Sequence, residues 1–275
     1  MSAPAVAARP SIALLGELVA FHTVSRDSNL DLIHYACDIL KPLDARIRLT
    51  YDDERRKANL FATLGPADRP GIVLSGHTDV VPVEGQRWDS DPYAVIEKDG
   101  RLYGRGTADM KGFLACALAL APEFAALDLR EPVHFALSYD EEVGCLGIGR
   151  LITDLARAGI RPRACIVGEP TLMKPVIAHK GKHSYRCTVR GLATHSAYAP
   201  HGVNAVEAAA EAIAYLKSMA RRHRDRGPYD RSFDVPYTTI HTGVIRGGTA
   251  LNIVPNACAF DFEFRHLPGD DPAAL

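Results

Sequence analysis

Four segments of the sequence place acidic or imidazole side chains at the end of a strand-like pattern or in the loop beyond it. They are Ser75–Asp79, Gly106–Gly112, Tyr139–Gly144 and Val167–Pro170. In an open parallel sheet, ligands bind at the edge formed by the carboxyl ends of the strands. We therefore expect the four segments to meet at one edge, an arrangement that packing alone does not explain.

His77 is the first candidate metal ligand, because imidazole is a common protein ligand for zinc. Asp79 lies two residues further on, so in an extended segment the two side chains point the same way. The Asp79 carboxylate could then hold the second ring nitrogen of His77. The alternative is a turn histidine followed by an Asx-type turn at Asp79.

Asp109 and Glu169 are further candidate ligands. The Asp109 carboxylate has two oxygens and can bridge two cations; the alternative is an N-cap for the helix that follows. Glu169 precedes Pro170, which disfavours helical geometry at Glu169. The alternative for Glu169 is an exposed loop acid.

Glu141 and Glu142 are adjacent, so in an extended or turning backbone their side chains cannot point the same way. One can bind a metal ion while the other remains free as a base. The alternative is a pair of first-turn acids that a helix dipole favours.

The composition is that of a globular protein with two domains. The chain has 275 residues, of which 47% are hydrophobic and 24% charged. The formal net charge of -1 gives no indication of nucleic-acid or anionic-membrane binding. The six cysteines form no C-x-x-C pair, and the N-terminus lacks a signal-peptide pattern. We expect buried free thiols, no membrane span and a cytoplasmic location.

The first part of the chain has the pattern of an α/β domain with a mostly parallel sheet. Short apolar runs predict strands buried on both faces at Gly71–Ser75, Val133–Tyr139 and Ala164–Val167. Helical patterns separate them at Lys111–Leu127 and Gly147–Ala158. Further helices are predicted at Pro10–His22 and Asn29–Leu40, and further strands at Arg46–Tyr51 and Ala58–Leu64.

After Ala178 the pattern becomes that of an α+β domain. Strands are predicted at His183–Arg190, Thr238–Ile245 and Cys258–Arg265, and Asn204 can cap a helix at Ala205–Arg222. We therefore predict domains at 1–178 and 179–275. Pro272 is a helix-start signal close to the last residue, which indicates that the second domain is incomplete at its C-terminal end.

Three motifs give the chain a resemblance to the M20 family of metallopeptidases and amidohydrolases. They are Gly76-His-Thr-Asp-Val-Val-Pro-Val, Trp88-Asp-Ser-Asp-Pro-Tyr and Asp99-Gly-Arg-Leu-Tyr-Gly-Arg-Gly-Thr-Ala-Asp-Met-Lys-Gly112. The resemblance is strongest to members that deacetylate N-acetylornithine. It implies a zinc-hydrolase domain followed by a ferredoxin-like lid and dimerisation domain.

The resemblance also implies a role for each candidate residue, with two Zn²⁺ ions per subunit that Co²⁺ can replace. His77 and Glu169 would hold one zinc, Asp109 would bridge the two, and Glu142 would hold the second. Glu141 would be the general base, and Asp79 would orient His77. A further histidine for the second zinc would come from a C-terminal segment that returns to the first domain and lies beyond these residues. The resemblance therefore implies that the first domain is incomplete as well.

In the second domain, His195 resembles the family's transition-state histidine, which is offered across a dimer interface. The alternative is a surface loop histidine beside His201. Asn252 and Arg265 resemble the groups that grip the substrate carboxylate. The alternative for Arg265 is a salt bridge to Asp261 or Glu263.

The activity that the resemblance implies is hydrolysis of a small N-acylated amino acid by a homodimer. N2-acetyl-L-ornithine would give L-ornithine and acetate, a reaction of arginine biosynthesis. The alternatives within the family are a succinyl-diaminopimelate desuccinylase, an aminoacylase and a dipeptidase. An alternative from another class is a non-catalytic fragment that binds a ligand or dimerises.

Overall fold

A computed structural model describes residues 9–275, so the first eight residues of the predicted catalytic domain lie outside the described residues. The chain divides into two compact units between Met173 and Lys174. This division lies a few residues before the predicted boundary at 178/179. We refer to the parts before and after it as the first and the second unit.

The first unit contains four α-helices, one short 3-10 helix (Lys41–Leu43) and seven strands within the described residues. The helices are α1 (Pro10–Ala20), α2 (Leu30–Leu40), α3 (Lys111–Ala125) and α4 (Ile148–Arg157). The strands are β1 (Arg46–Tyr51), β2 (Ala58–Leu64), β3 (Ile72–His77), β4 (Ile96–Lys98), β5 (Arg101–Tyr103), β6 (Val133–Ser138) and β7 (Ala164–Val167).

Five of these strands form the central sheet, in the order β1-β2-β6-β3-β7. Strands β6, β3 and β7 are parallel neighbours, whereas β2 is antiparallel to both β1 and β6. Strand β2 runs in the opposite direction because a turn at residues 52–57 joins it to β1, and so short a connection permits only antiparallel pairing. Four strands thus share one direction, which confirms the predicted α/β class with a mostly parallel sheet.

The sheet separates two apolar layers. The larger core contains Leu60 and Phe135 from the sheet, with α1, α2 and α3 packed over them. On the opposite face, a smaller cluster joins Phe61 and Leu151 of α4. All seven residues of β2 are buried, because apolar side chains on both of its faces have a helical layer to contact.

Two features of the first unit differ from the sequence-based predictions. Strand β7 was expected to be buried on both faces, but all four of its residues are exposed, since it lies at the sheet edge and pairs with β3. The β4–β5 hairpin was not predicted. It turns at Asp99 and Gly100, whose φ values of 52° and 70° are left-handed, as a two-residue hairpin loop requires.

The second unit consists of a three-stranded antiparallel sheet and one long helix. Its elements are β8 (Gly181–Arg190), a 3-10 helix (Ser196–His201), α5 (Ala205–Arg226), β9 (Thr239–Gly247) and β10 (Ala257–His266). Strand β10 lies between β8 and β9. This order is the one that a β-α-β-β portion of a ferredoxin-like fold has. Its roles as a lid and in dimerisation stay predictions.

Helix α5 covers one face of this sheet. The Asn204 side chain caps it as predicted, accepting hydrogen bonds from the amides of Val206 (3.0 Å) and Glu207 (3.2 Å). Ala209 of the helix packs in one cluster with Phe260 of β10. Residues 272–274, where a helix start was predicted, form a turn.

Two general expectations concerned cysteines and membranes. All six cysteines are free, but Cys116, Cys145 and Cys165 are exposed and Cys187 is half-buried, so the expectation of buried thiols is confirmed only for Cys37 and Cys258. Across residues 9–275, every helix is too short or too polar to cross a bilayer.

Candidate metal centre

Three parallel strands bring the candidate ligands to one edge of the central sheet. His77 is the last residue of β3, Glu141 and Glu142 follow β6, and Glu169 follows β7. Because β6, β3 and β7 are neighbours that run in the same direction, their carboxyl ends lie side by side. Asp109 reaches the same place from the loop between β5 and α3.

The imidazole of His77 is the centre of the cluster and is almost completely buried. Its Nε2 atom lies 2.9 Å from Asp109 Oδ1, 3.8 Å from Glu169 Oε1 and 3.9 Å from Glu141 Oε2. Three carboxylates therefore face one ring nitrogen.

The side chains form two overlapping groups with the spacing of metal ligands. His77, Glu141 and Glu169 make one group, and His77, Asp109 and Glu142 make the other; the ligand atoms of each lie within 4.8 Å of one another. The other three predicted ligands, Asp109, Glu142 and Glu169, are thus near His77. Glu141, predicted as a free base, also lies in the first group, so its role stays a prediction.

The second ring nitrogen of His77 does not have the predicted partner. Nδ1 lies 2.8 Å from the backbone carbonyl oxygen of Asp79 and 3.5 Å from the Asp79 carboxylate. The orienting hydrogen bond is therefore made by the carbonyl rather than by the carboxylate. The reason is that the carboxylate is occupied by other donors.

Asp79 instead holds the loop that carries the two glutamates. Its Oδ1 accepts the amide of Glu141 (3.1 Å), and its Oδ2 accepts the amide of Glu142 (3.2 Å) and the Ser25 hydroxyl (2.7 Å). Burial by itself would raise the pKa of Asp79, but the nearby His77 imidazole and hydrogen bonds from Ser25 and the Glu141 amide outweigh burial and lower it. Asp79 is therefore a buried, ionised anchor beneath the cluster.

Three ionisable groups of the cluster, His77, Glu142 and Glu169, have perturbed pKa values. Burial disfavours the charged form of His77, but Asp79 and Asp109 outweigh this effect and raise its pKa to about 9. Burial is also the largest cause of the raised pKa of Glu142 and Glu169, and repulsion from Asp109 adds to it in both cases. A bound cation would relieve the repulsion that these carboxylates exert on one another.

The structure does not support several of the alternative interpretations. The N-cap of α3 is Met110, without a side-chain capping bond, so Asp109 does not cap the helix. Helix α4 begins at Ile148, so Glu141 and Glu142 do not lie in its first turn. His77 lies in a strand rather than in a turn.

The donor set suits a divalent transition metal. Histidine nitrogen and Asp or Glu oxygen atoms bind such an ion, and a catalytic site with three protein ligands retains an open position. The two groups share His77, so the geometry fits one such ion and places further carboxylates within reach of a second. The cluster is therefore a candidate site for a divalent metal ion.

The second unit holds the other three predicted site residues. Backbone bonds from Ser196 to Asn252 (2.9 Å) and from Val254 to Thr194 (2.9 Å) bring His195 and Asn252 onto adjacent segments. The His195 Nδ1 atom accepts the Ala197 amide (3.1 Å), so in the neutral ring the proton lies on Nε2.

Arg265 lies on the exposed face of β10. Its Nε atom donates to Glu263 (2.9 Å), whereas Asp261 is bound by Arg186. The alternative of an ion pair with Glu263 is thus realised. The proposed role of Arg265 in binding substrate stays a prediction.

Ser25 and Lys57 contact this site but were not among the predicted residues. Ser25 binds Asp79, and Lys57 binds Asp140, the residue before Glu141. The first pair is 54 residues apart and the second 83 residues apart in sequence. Neither residue belongs to a motif with an evident chemical role, so the sequence carries no signal for these contacts.

Comparison with known proteins agrees with this geometry. The sequence profile of peptidase family M20/M25/M40 matches residues 73–247. The acetylornithine deacetylase of Pasteurella multocida (strain Pm70) is 38% identical over 242 residues, which is 88% of this chain and 62% of that relative. The chain thus spans less than two thirds of the length of this curated relative.

Solved structures show the same fold at lower identity. An M20 family metallo-carboxypeptidase from Sulfolobus solfataricus has a TM-score of 0.74 at 17% identity, covering 97% of this chain and 73% of that one. Human carnosine dipeptidase 1 has a TM-score of 0.62 at 20% identity, covering 96% and 71%. Because the family profile covers more than half of the sequence and the metal-ligand cluster lies at the expected strand ends, the chain belongs to peptidase family M20/M25/M40.

Proposed function

We propose that this protein is a zinc-dependent amidohydrolase that removes the acetyl group from N2-acetyl-L-ornithine. The observation that carries the proposal is the arrangement of carboxylates around His77 Nε2 at one edge of the central sheet. Such a cluster combines metal-binding side chains with a candidate proton acceptor, which ligand binding alone would not need.

His77, Asp109 and Glu169 would hold one Zn²⁺ ion, and Asp109 and Glu142 would contribute to a second. When bound, such ions, for which Co²⁺ could substitute, would lower the pKa of a water molecule at the site and polarise the scissile carbonyl.

Glu141 is the proposed general base. Its side chain is about 38% exposed and can therefore reach both solvent and His77, 3.9 Å away. The Cys145 thiol lies 3.4 Å from Glu141 Oε1, which leaves Oε2 on the side of His77. In the proposed reaction Glu141 accepts a proton from the attacking water and passes it to the departing amine.

The second unit would supply the groups that bind the substrate. The Nε2–H of His195 can donate to the developing oxyanion, and Asn252 can bind the substrate beside it. The Nη groups of Arg265 make no hydrogen bond within residues 9–275 and can bind a carboxylate bidentately. We propose that His195 acts across the interface of a homodimer.

The choice of substrate rests on the acetylornithine deacetylase of Pasteurella multocida, to which the chain is 38% identical. We propose the same reaction for this chain, in the cytoplasm and as a step of arginine biosynthesis. Turnover of N-acetylornithine, N-succinyl-diaminopimelate and a dipeptide, measured side by side, tests this choice. If either of the other two compounds has a higher kcat/KM, that compound and not N-acetylornithine is the substrate.

The substitution Glu141→Gln tests the mechanism. It removes a proton acceptor but keeps the shape of the side chain, so we expect kcat to fall at least about 100-fold while zinc affinity changes little. The matched control is Glu131→Gln, which alters an exposed glutamate bound to Arg163 and should leave both quantities unchanged. Near-normal turnover in Glu141→Gln would exclude the base role.

A further inference from the structure

Lys57 makes a contact beneath the metal centre that the proposed chemistry does not use. Its side chain is about 14% exposed, and that of its partner Asp140 is about 13% exposed. The Nζ atom donates to Asp140 Oδ1 (2.7 Å), to Asp140 Oδ2 (2.8 Å) and to the backbone carbonyl of Ser25 (2.5 Å). An ammonium group has three protons, so all of its donors are used.

Asp140 occupies a backbone conformation that needs support. Its φ is 55°, in the left-handed region that a residue with a Cβ atom adopts at a cost. This conformation reverses the chain after β6, and the loop closes with a bond from the Leu146 amide to the Asp140 carbonyl (2.9 Å). Glu141 and Glu142 follow immediately, so the conformation of Asp140 determines the backbone position of both glutamates.

Two anchors therefore hold the segment that carries the glutamates. Asp79 binds the backbone amides of Glu141 and Glu142, and Lys57 binds the side chain of Asp140. Ser25 connects the anchors, because its hydroxyl binds Asp79 and its carbonyl accepts from Lys57. Lys57 itself is fixed by the β1–β2 turn, where its amide donates to Asp52 (2.9 Å).

We propose that Lys57 is a positioning residue that sets the geometry of the metal centre by fixing the turn at Asp140. The inference extends the proposed function, since it assigns to Lys57 control over two carboxylates of that site. Lys57 does not contact these carboxylates; it acts through Asp140 and Ser25. Loss of the ammonium group would let the turn relax and move Glu141 and Glu142 away from His77.

The test compares Lys57→Met with the unaltered protein by two measurements. The rates of amide hydrogen exchange at Glu141 and Glu142 are measured in the metal-free protein, and competition with a chelator gives the affinity for zinc. We expect exchange in the segment 140–146 to be about tenfold faster and zinc binding to be about 10–100-fold weaker, the range typical when a residue that supports a metal ligand is lost.

Arg150→Met is the matched control. Arg150 also makes a two-pronged ion pair with the β1–β2 turn, through Asp53 at 2.8 and 2.6 Å, but it does not touch Asp140. Because this pair is exposed, we expect unchanged exchange at 140–146 and unchanged zinc affinity. Equal effects in both variants would show that any ion pair at the turn stabilises the fold, and would overturn the proposal.

A second variant covers the case in which Lys57→Met does not fold. Asp140→Asn keeps a residue type that tolerates the left-handed conformation but removes the charge that Lys57 binds, and it should give the same two changes. If amide exchange at 140–146 is as slow in either folded variant as in the unaltered protein, Lys57 does not have the positioning role. If the unaltered protein binds no zinc, the proposed function fails, while the exchange measurement still decides the role of Lys57.

Discussion

The substitution Asp79→Asn tests the central electrostatic feature of the metal centre. In the carboxylate, one oxygen accepts the Glu141 amide and the other accepts the Glu142 amide. An asparagine side chain has one acceptor oxygen, and its NH₂ group takes the place of the other. In either orientation of the asparagine side chain, its NH₂ group lies opposite the backbone N–H of Glu141 or of Glu142. That N–H then has no acceptor.

The expected cost follows from these contacts. A partly buried donor without an acceptor costs about 1–3 kcal/mol, and a hydrogen bond to a charged group contributes about 1.5–3 kcal/mol. Because some of this loss is offset when a buried charge is removed, we expect the free energy of unfolding to fall by about 2–4 kcal/mol. Urea unfolding of the metal-free protein at pH 7 measures this change.

Asp52→Asn is the control for this measurement. A single oxygen of Asp52 accepts the amides of Arg56 (2.7 Å) and Lys57 (2.9 Å), so the amide oxygen of asparagine can replace it. We expect a loss below about 1 kcal/mol, since no donor is left without a partner. If the two variants lose the same amount, the Asp79 carboxylate does not anchor the glutamate segment as we have argued.

Two further predictions concern a buried histidine and the second unit. Burial and the nearby charge of Arg46 lower the pKa of His134. Below about pH 6.5 the unfolded chain therefore binds a proton that the folded chain excludes, and the free energy of unfolding falls as the pH falls. Replacement of His134 by asparagine should reduce the slope of the unfolding free energy against pH by up to about 1.4 kcal/mol per pH unit, measured in unfolding experiments between about pH 7 and 5.5. An unchanged slope would contradict the lowered pKa of His134. Phe260 is almost fully buried against α5, so Phe260→Ala should lower the free energy of unfolding by about 3–5 kcal/mol, measured as faster amide exchange in α5. Val244 is half-exposed, so the control Val244→Ala should lower it by less than about 1 kcal/mol.

Much of the fold could be predicted because the apolar patterns are local. The predicted bounds of β1 and β2 coincide with those observed, since alternation in the first and a largely apolar run in the second are sharply bounded. Burial of β7 could not be predicted in the same way. A four-residue apolar run looks alike in a central and an edge strand, and only the neighbouring strands decide between them.

The candidate ligands could be predicted because acids and histidine follow strand patterns, and parallel strands bring their ends together. The partner of the His77 Nδ1 atom could not be predicted, because spacing alone does not distinguish the carbonyl of Asp79 from its carboxylate. The contacts of Ser25 and Lys57 depend on tertiary structure, since the chain passes the same place again only after more than fifty residues.

The position of β6 in the sheet has a consequence for the order of folding. Val133 of β6 pairs with both Leu64 of β2 and Ile72 of β3, so β6 enters between two strands that are consecutive in sequence. The β1–β2 hairpin can form locally, but insertion of β6 requires closure of a long loop, which is the slower kind of step. Glu141 and Glu142 arrive with β6, so the metal centre can form only after this non-local step is complete.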